Sequence, residues 1–96
     1  MVALNDIKVR RDEIIRICEL HGGHNVRVFG SFARGENNPQ SDLDLLVHFE
    51  AGRSLIDHIA MIQDLSEYLG QKVDVVPDDA LNKYIREQVL HEAVAL

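Results

Sequence analysis

The sequence predicts an α/β (α+β) domain, a small mixed sheet covered by helices, and three observations carry that expectation. Apolar residues recur at three- and four-residue steps over 6–21 and 55–69, as in amphipathic helices. Short runs rich in strand formers stand between and after them, at 25–29, 42–49 and 72–76. Turn residues bound each run, which gives the order helix, strand, short helix, strand, helix, strand, helix. Ninety-six residues suffice for one core and are too few for two, so 1–96 is read as one domain.

Each element has its own signal. From Asp6 to His21, Ile7, Ile14, Ile17 and Cys18 mark the inner face of a helix, and Lys8, Arg10, Arg11 and Arg16 mark its solvated face. Gly22-Gly23 stops it. Asn25 to Phe29 alternates as a strand that runs into Gly30, after which Ser31 is placed to cap a short helix of Phe32, Ala33 and Arg34. Asn37-Asn38-Pro39 is turn chemistry, and a second strand follows from Asp42 to Phe49. Ser54 and Asp57 form a capping box for a helix carrying Leu55, Ile59, Ile62, Leu65 and Leu69 up to Gly70. Lys72 to Val76 is a short strand closed by Pro77, and Asp79 opens a last helix with Leu81, Ile85 and Val89.

Composition narrows the function. Sixteen acidic against ten basic residues, net −6, disfavour a chain whose main business is gripping nucleic acid, so no direct nucleic-acid partner is expected. A metal or a cationic partner is the easier electrostatic match. Cys18 is the lone cysteine, which points to a reducing compartment, the cytoplasm. The N-terminus meets charge too early for a signal-peptide core, and no run approaches the ~20 apolar residues of a membrane span.

The chemistry concentrates in residues 30–44. On a strand, Asp42, Asp44, Leu46 and His48 share one face, so the first two carboxylates converge. Asp44 lies between leucines and Asp74 between valines, where an ionised carboxylate without a partner costs several kcal/mol of desolvation. If the strands pair, Asp74 joins the other two, and three such carboxylates suit one or two Mg²⁺ ions that complete their shell with water and substrate phosphate. A lone strand-end acid would be a solvated rim residue; the triple is not explained that way. Gly30-Ser31, where a strand hands over to a helix, offers backbone amides to an anion such as a triphosphate. Arg34 either reaches a phosphate or braces the loop against Glu36 or Asp42.

Gly30-Ser31, ten intervening residues, Asp42-Leu43-Asp44 and a later strand aspartate, Asp74, resemble the minimal nucleotidyltransferase (MNT) domains of the DNA polymerase beta superfamily. The likeness spans almost the whole chain and includes the Ser-Phe-Ala-Arg-Gly continuation, Ser41 before the first aspartate, and the end Glu92-Ala-Val-Ala-Leu96. Within that superfamily it is strongest to small MNT antitoxins of HEPN-type ribonuclease toxins. The resemblance implies a polymerase-beta-like palm in which Gly30 and Ser31, with Arg34 and Ser41 beside them, hold the nucleotide. It implies that Asp42, Asp44 and Asp74 form the catalytic and Mg²⁺-binding set, with Asp74 also assisting deprotonation of the acceptor. ATP is then the nucleotide, and AMP passes to a hydroxyl, a tyrosine in family members, of a cognate HEPN toxin held in a hetero-oligomer. Two other readings stay open: an antitoxin that works by binding alone, and nucleotidyl transfer to a small molecule.

The remaining features have plainer readings. His21-Gly-Gly-His24 lacks further close ligands for zinc and marks a helix end. His48 is read as a half-buried surface residue, with a place in the nucleotide pocket as the alternative. Tyr68 and Tyr84 are read as helix packing residues with wet hydroxyls. Leu90, Val94 and Leu96 are expected to leave an apolar surface for a partner.

Overall fold

The computed structural model describes residues 3–96; Met1 and Val2, where the N-terminal reading begins, lie outside them. Helix α1 spans Leu4–Val9 and α2 Arg11–Leu20, strand β1 Gly23–Phe29, and the single turn α3 Ser31–Arg34. Strand β2 spans Leu43–Phe49, α4 Leu55–Leu69, β3 Val73–Pro77, α5 Lys83–Glu92 and β4 Val94–Ala95. The strands form one mixed sheet in the order β3-β2-β1-β4, with β2 and β3 parallel and the other pairs antiparallel. The expected mixed sheet with helices is therefore present.

One face of the sheet carries the core. Helix α2 packs on β1, α4 packs on β3, and the two helices touch each other. Leu43, Leu45 and Val47 of β2 are fully buried there with Ile14 and Cys18 of α2 and Met61 and Leu65 of α4. Each such side chain contributes about 1.5–3 kcal/mol by leaving water. Leu46, on the opposite face, is also fully buried but lies outside that cluster. Burial pushes the Cys18 thiol up to about 12, so this cysteine is a packing residue without thiolate character.

Several elements differ from expectation for local reasons. The single helix expected over 6–21 breaks at Arg10, which caps both α1 and α2, and the break still lets Ile7 and Ile14 reach the core. Strand β1 begins two residues earlier than the alternation suggests. An extra residue sits between His24 and Arg27 relative to β2, and Asn25 takes the left-handed φ of 52°. Asparagine tolerates that conformation, and the bulge turns Gly23, Val26 and Val28 all inward. Gly30, not Ser31, is the cap of α3.

Helix α4 matches its prediction. The Asp57 carboxylate accepts from the Ser54 N–H at 2.9 Å, and Gly70 closes the helix with φ 59°. His58 Nε2 lies 2.6 Å from the Val75 carbonyl oxygen, so that nitrogen donates and ties α4 to β3. The last helix starts later than expected: Asp79 falls in a short 3₁₀ turn, Asp78–Ala80, and Asn82 caps α5 by accepting from the Tyr84 N–H at 2.8 Å. Helix α5 buries none of its residues, and Tyr84 is 81% exposed, so it is not a packing residue. Val94 and Leu96, expected to be exposed, are instead half-buried: Val94 pairs with Val28, and the Leu96 N–H donates to the Val26 carbonyl at 3.0 Å. No helix among the described residues is long and apolar enough to cross a membrane.

Candidate functional site

Strand register brings two of the predicted acids together. Asp44 is the register partner of Phe29 on β1 and of Asp74 on β3, so Asp44 and Asp74 lie side by side on adjacent parallel strands. Asp42 stands two residues before Asp44, at the mouth of β2. Gly30 follows Phe29 with φ +74°, and a Cβ built there would strike the Asp44 carboxylate. Only glycine lets the turn pass that close to the acid.

Crowding shows in the electrostatics. Burial, then the charges of Asp74 and Asp42, push the Asp44 carboxyl above its ordinary value, and Arg34 opposes the shift. Asp42 has an exposed ion pair with Lys72 at 3.7 Å, which is worth little. Among the described residues, no three His, Cys, Asp or Glu side chains are disposed to hold a metal ion by themselves. Asp44 thus feels both of the other acids, and the three form no closed cage. That arrangement fits Mg²⁺, which commonly takes one or two carboxylates and completes an octahedron with water and substrate phosphate.

The flanking residues are held by specific bonds. Arg34 Nε donates to Glu36 at 3.0 Å and Nη1 to Glu92 at 3.3 Å, so it braces against Glu36 as one reading expected, and against Glu92 rather than Asp42. These carboxylates, Glu36 foremost, raise the guanidinium above its usual range. The Gly30 N–H donates to Glu92 Oε1 at 3.1 Å and is already engaged. Ser31 lies in the first turn of α3, whose four residues carry too little aligned dipole to matter much; individual amides are what the turn can offer. The Ser41 hydroxyl accepts from the Asn38 N–H at 2.9 Å, and its carbonyl accepts from Gln71 Nε2 at 2.8 Å. Ser41 thereby anchors the loop that delivers Asp42.

Other candidates separate from this cluster. His48 is exposed and meets Asp78 at 3.1 Å, and Asp78 also takes Arg27 at 3.2 Å. His21 caps α2 and reaches Asp64 on α4 at 2.7 Å, whereas His24 pairs with Glu50 at 2.8 Å. The two histidines therefore have separate acidic partners. Clefts of about 310 Å³, beside Ile15 and Leu96, and about 270 Å³, beside Phe49 and Pro77, contain none of the three acids. Sequence reasoning missed Asp78 and Glu92, because neither stands in a local pattern that announces a partner tens of residues away.

Comparisons with known proteins bear on the family and the fold. The model of the nucleotidyltransferase domain family matches residues 11–96. A candidate protein adenylyltransferase of Methanocaldococcus jannaschii is 38% identical over 91 residues, 95% of each chain. The protein adenylyltransferase MntA of Thermococcus cleftensis is 41% identical over 76 residues, 79% of this chain and 77% of that one. A solved candidate minimal nucleotidyltransferase superposes with a TM-score of 0.89 at 47% identity, covering 99% of this chain and 97% of the other. The MNT antitoxin complex with a tri-AMPylated HEPN toxin from Shewanella oneidensis matches in fold alone, with a TM-score of 0.69 at 19% identity over 92% of this chain and 69% of that one.

Proposed function

The chain belongs to the nucleotidyltransferase domain family, and on that premise we propose that it moves AMP from ATP to a tyrosine hydroxyl of a HEPN-type ribonuclease toxin, with which it assembles as antitoxin. The observation that carries this reading is Asp44, paired in register with Asp74 and standing against the Gly30 turn. Relatives named as protein adenylyltransferases support a protein acceptor, and the HEPN complex of similar fold supports the partner class.

In this proposal Asp42 and Asp44 would hold Mg²⁺, and Asp74 borders the same site. The ion, when bound, supplies charge neutralisation on the attacking and leaving oxygens. Gly30 lets the turn lie directly against Asp44, the Ser31 turn lends backbone amides, and Arg34 offers a guanidinium to a phosphate. Ser41 holds the loop that aims Asp42. The acceptor oxygen bonds to the α-phosphorus as the bond to pyrophosphate breaks, and Asp74 takes the hydroxyl proton. Positioning and fixed charge account for most of the rate.

Intact mass analysis tests this directly. A cognate HEPN-type toxin, incubated with this protein, Mg²⁺ and ATP, should gain the mass of AMP on a tyrosine, and Asp44→Asn should slow the gain by about 10²–10³-fold. A toxin that stays unmodified while its ribonuclease activity is suppressed equally by Asp44→Asn would replace catalysis with binding alone.

A further inference from the structure

We infer that Glu92, at the end of α5, is a positioning residue that holds the nucleotide-facing turn and the Arg34 guanidinium in one fixed arrangement; the inference rests on the nucleotide-binding reading above. A single carboxylate does both tasks. Its Oε1 accepts from the Gly30 N–H at 3.1 Å and from Arg34 Nη1 at 3.3 Å, and its Oε2 lies 3.4 Å from the same Nη1. Glu92 is the better-anchored partner, with its side chain 20% exposed against 44% for Arg34.

The anchoring has a visible cause. Helix α5 buries none of its residues, so its own packing cannot fix a side chain at its end. Two residues later, however, Val94 pairs with Val28 on β1, and the Leu96 N–H bonds to the Val26 carbonyl. The two-residue strand β4 therefore pins Glu92 beside the end of β1, where Gly30 begins.

Electrostatics explain what the arrangement prevents. Arg34 closes the turn that opens at Gly30, its N–H bonded to the Gly30 carbonyl at 3.1 Å, and Gly30 stands against the Asp44 carboxylate. A released guanidinium would be drawn onto Asp42 and Asp44, the charges a divalent cation needs. Glu36 on Nε and Glu92 on Nη1 hold the group from two sides and stop that collapse. The same carboxylate satisfies the Gly30 amide at the start of that turn, where φ is +74°.

The test measures nucleotide affinity without the partner, by titrating the full chain with ATP and Mg²⁺ and following heat, alongside steady-state transfer. Glu92→Ala should raise the Kd and KM for ATP about tenfold, the size of one lost charge-assisted hydrogen bond, and change kcat less than about threefold. Glu92→Gln should recover most of the affinity, because its amide oxygen still accepts from the Gly30 N–H. On an Arg34→Ala background, Glu92→Ala should cost less than it does in the native chain, because only the Gly30 contact is left to lose, which a brace of the fold alone would not produce. Unchanged or tighter ATP binding by Glu92→Ala, in a folded variant of a protein that transfers AMP, overturns the inference and leaves the proposed function standing. A native protein that binds no ATP ends both.

Discussion

Asp44 is where function and stability oppose each other most directly. Its folded-state pKa is raised, first by burial and then by Asp74 and Asp42, so the folded chain holds the carboxyl proton more tightly than the unfolded chain does. For a carboxyl shifted upward, the stabilising contribution is whole below the unfolded value of about 3.9 and is lost as pH rises through the raised folded value. At neutral pH the ionised Asp44 is thus a net cost to the cation-free fold. Asp44→Asn should raise the Tm by a few degrees at pH 7 without divalent ions, and differential scanning calorimetry should find that gain vanishing below about pH 4. Mg²⁺ with ATP should stabilise the native protein and not the variant. Gly30→Ala adds a methyl against the same carboxylate at φ +74°, which predicts a loss of about 1–3 kcal/mol in urea unfolding and a parallel loss of ATP affinity.

At the scale of elements, the legibility of the sequence followed the range of the interactions involved. Helix α4 was readable from end to end because its signals, the Ser54–Asp57 box and Gly70, act within four residues. The bulge in β1 was not, since Asn25 takes its left-handed φ only to reconcile the inward faces of Gly23 and Val26 with the register of β2. Asn25→Gly should therefore leave stability nearly unchanged, whereas Asn25→Val, a β-branched residue at positive φ, should cost about 1–2 kcal/mol by thermal unfolding. The late start of α5 has a similar origin: Asp79 looked like a cap, but the chain first makes a 3₁₀ turn beside β2 and lets Asn82 take that role.

For the molecule as a whole, the last strand joins the fold to the site. Val94–Ala95 is only two residues long, yet it closes the sheet beside β1, seats Leu96 against the core and sets where Glu92 stands. Removal of residues 93–96 should lower the Tm by several degrees and also raise the Kd for ATP to that of Glu92→Ala, measured by the same titration. A truncated chain that loses stability and keeps full affinity would separate the strand from the site.

The sequence by itself determined the acids and the turn: Gly30, Ser31, Asp42, Asp44 and Asp74 sit in strands and at strand ends whose period of two fixes which face each acid takes. It also determined the mixed sheet and the stretches that cover it, because apolar spacing is a local property of the chain. The tertiary structure alone decided that Asp74 stands beside Asp44, that Asp78 joins Arg27 to His48, and that Glu92 reaches Gly30 across 62 residues. Strand order and helix docking set those meetings through the burial of the whole core, and no short window of residues encodes that sum.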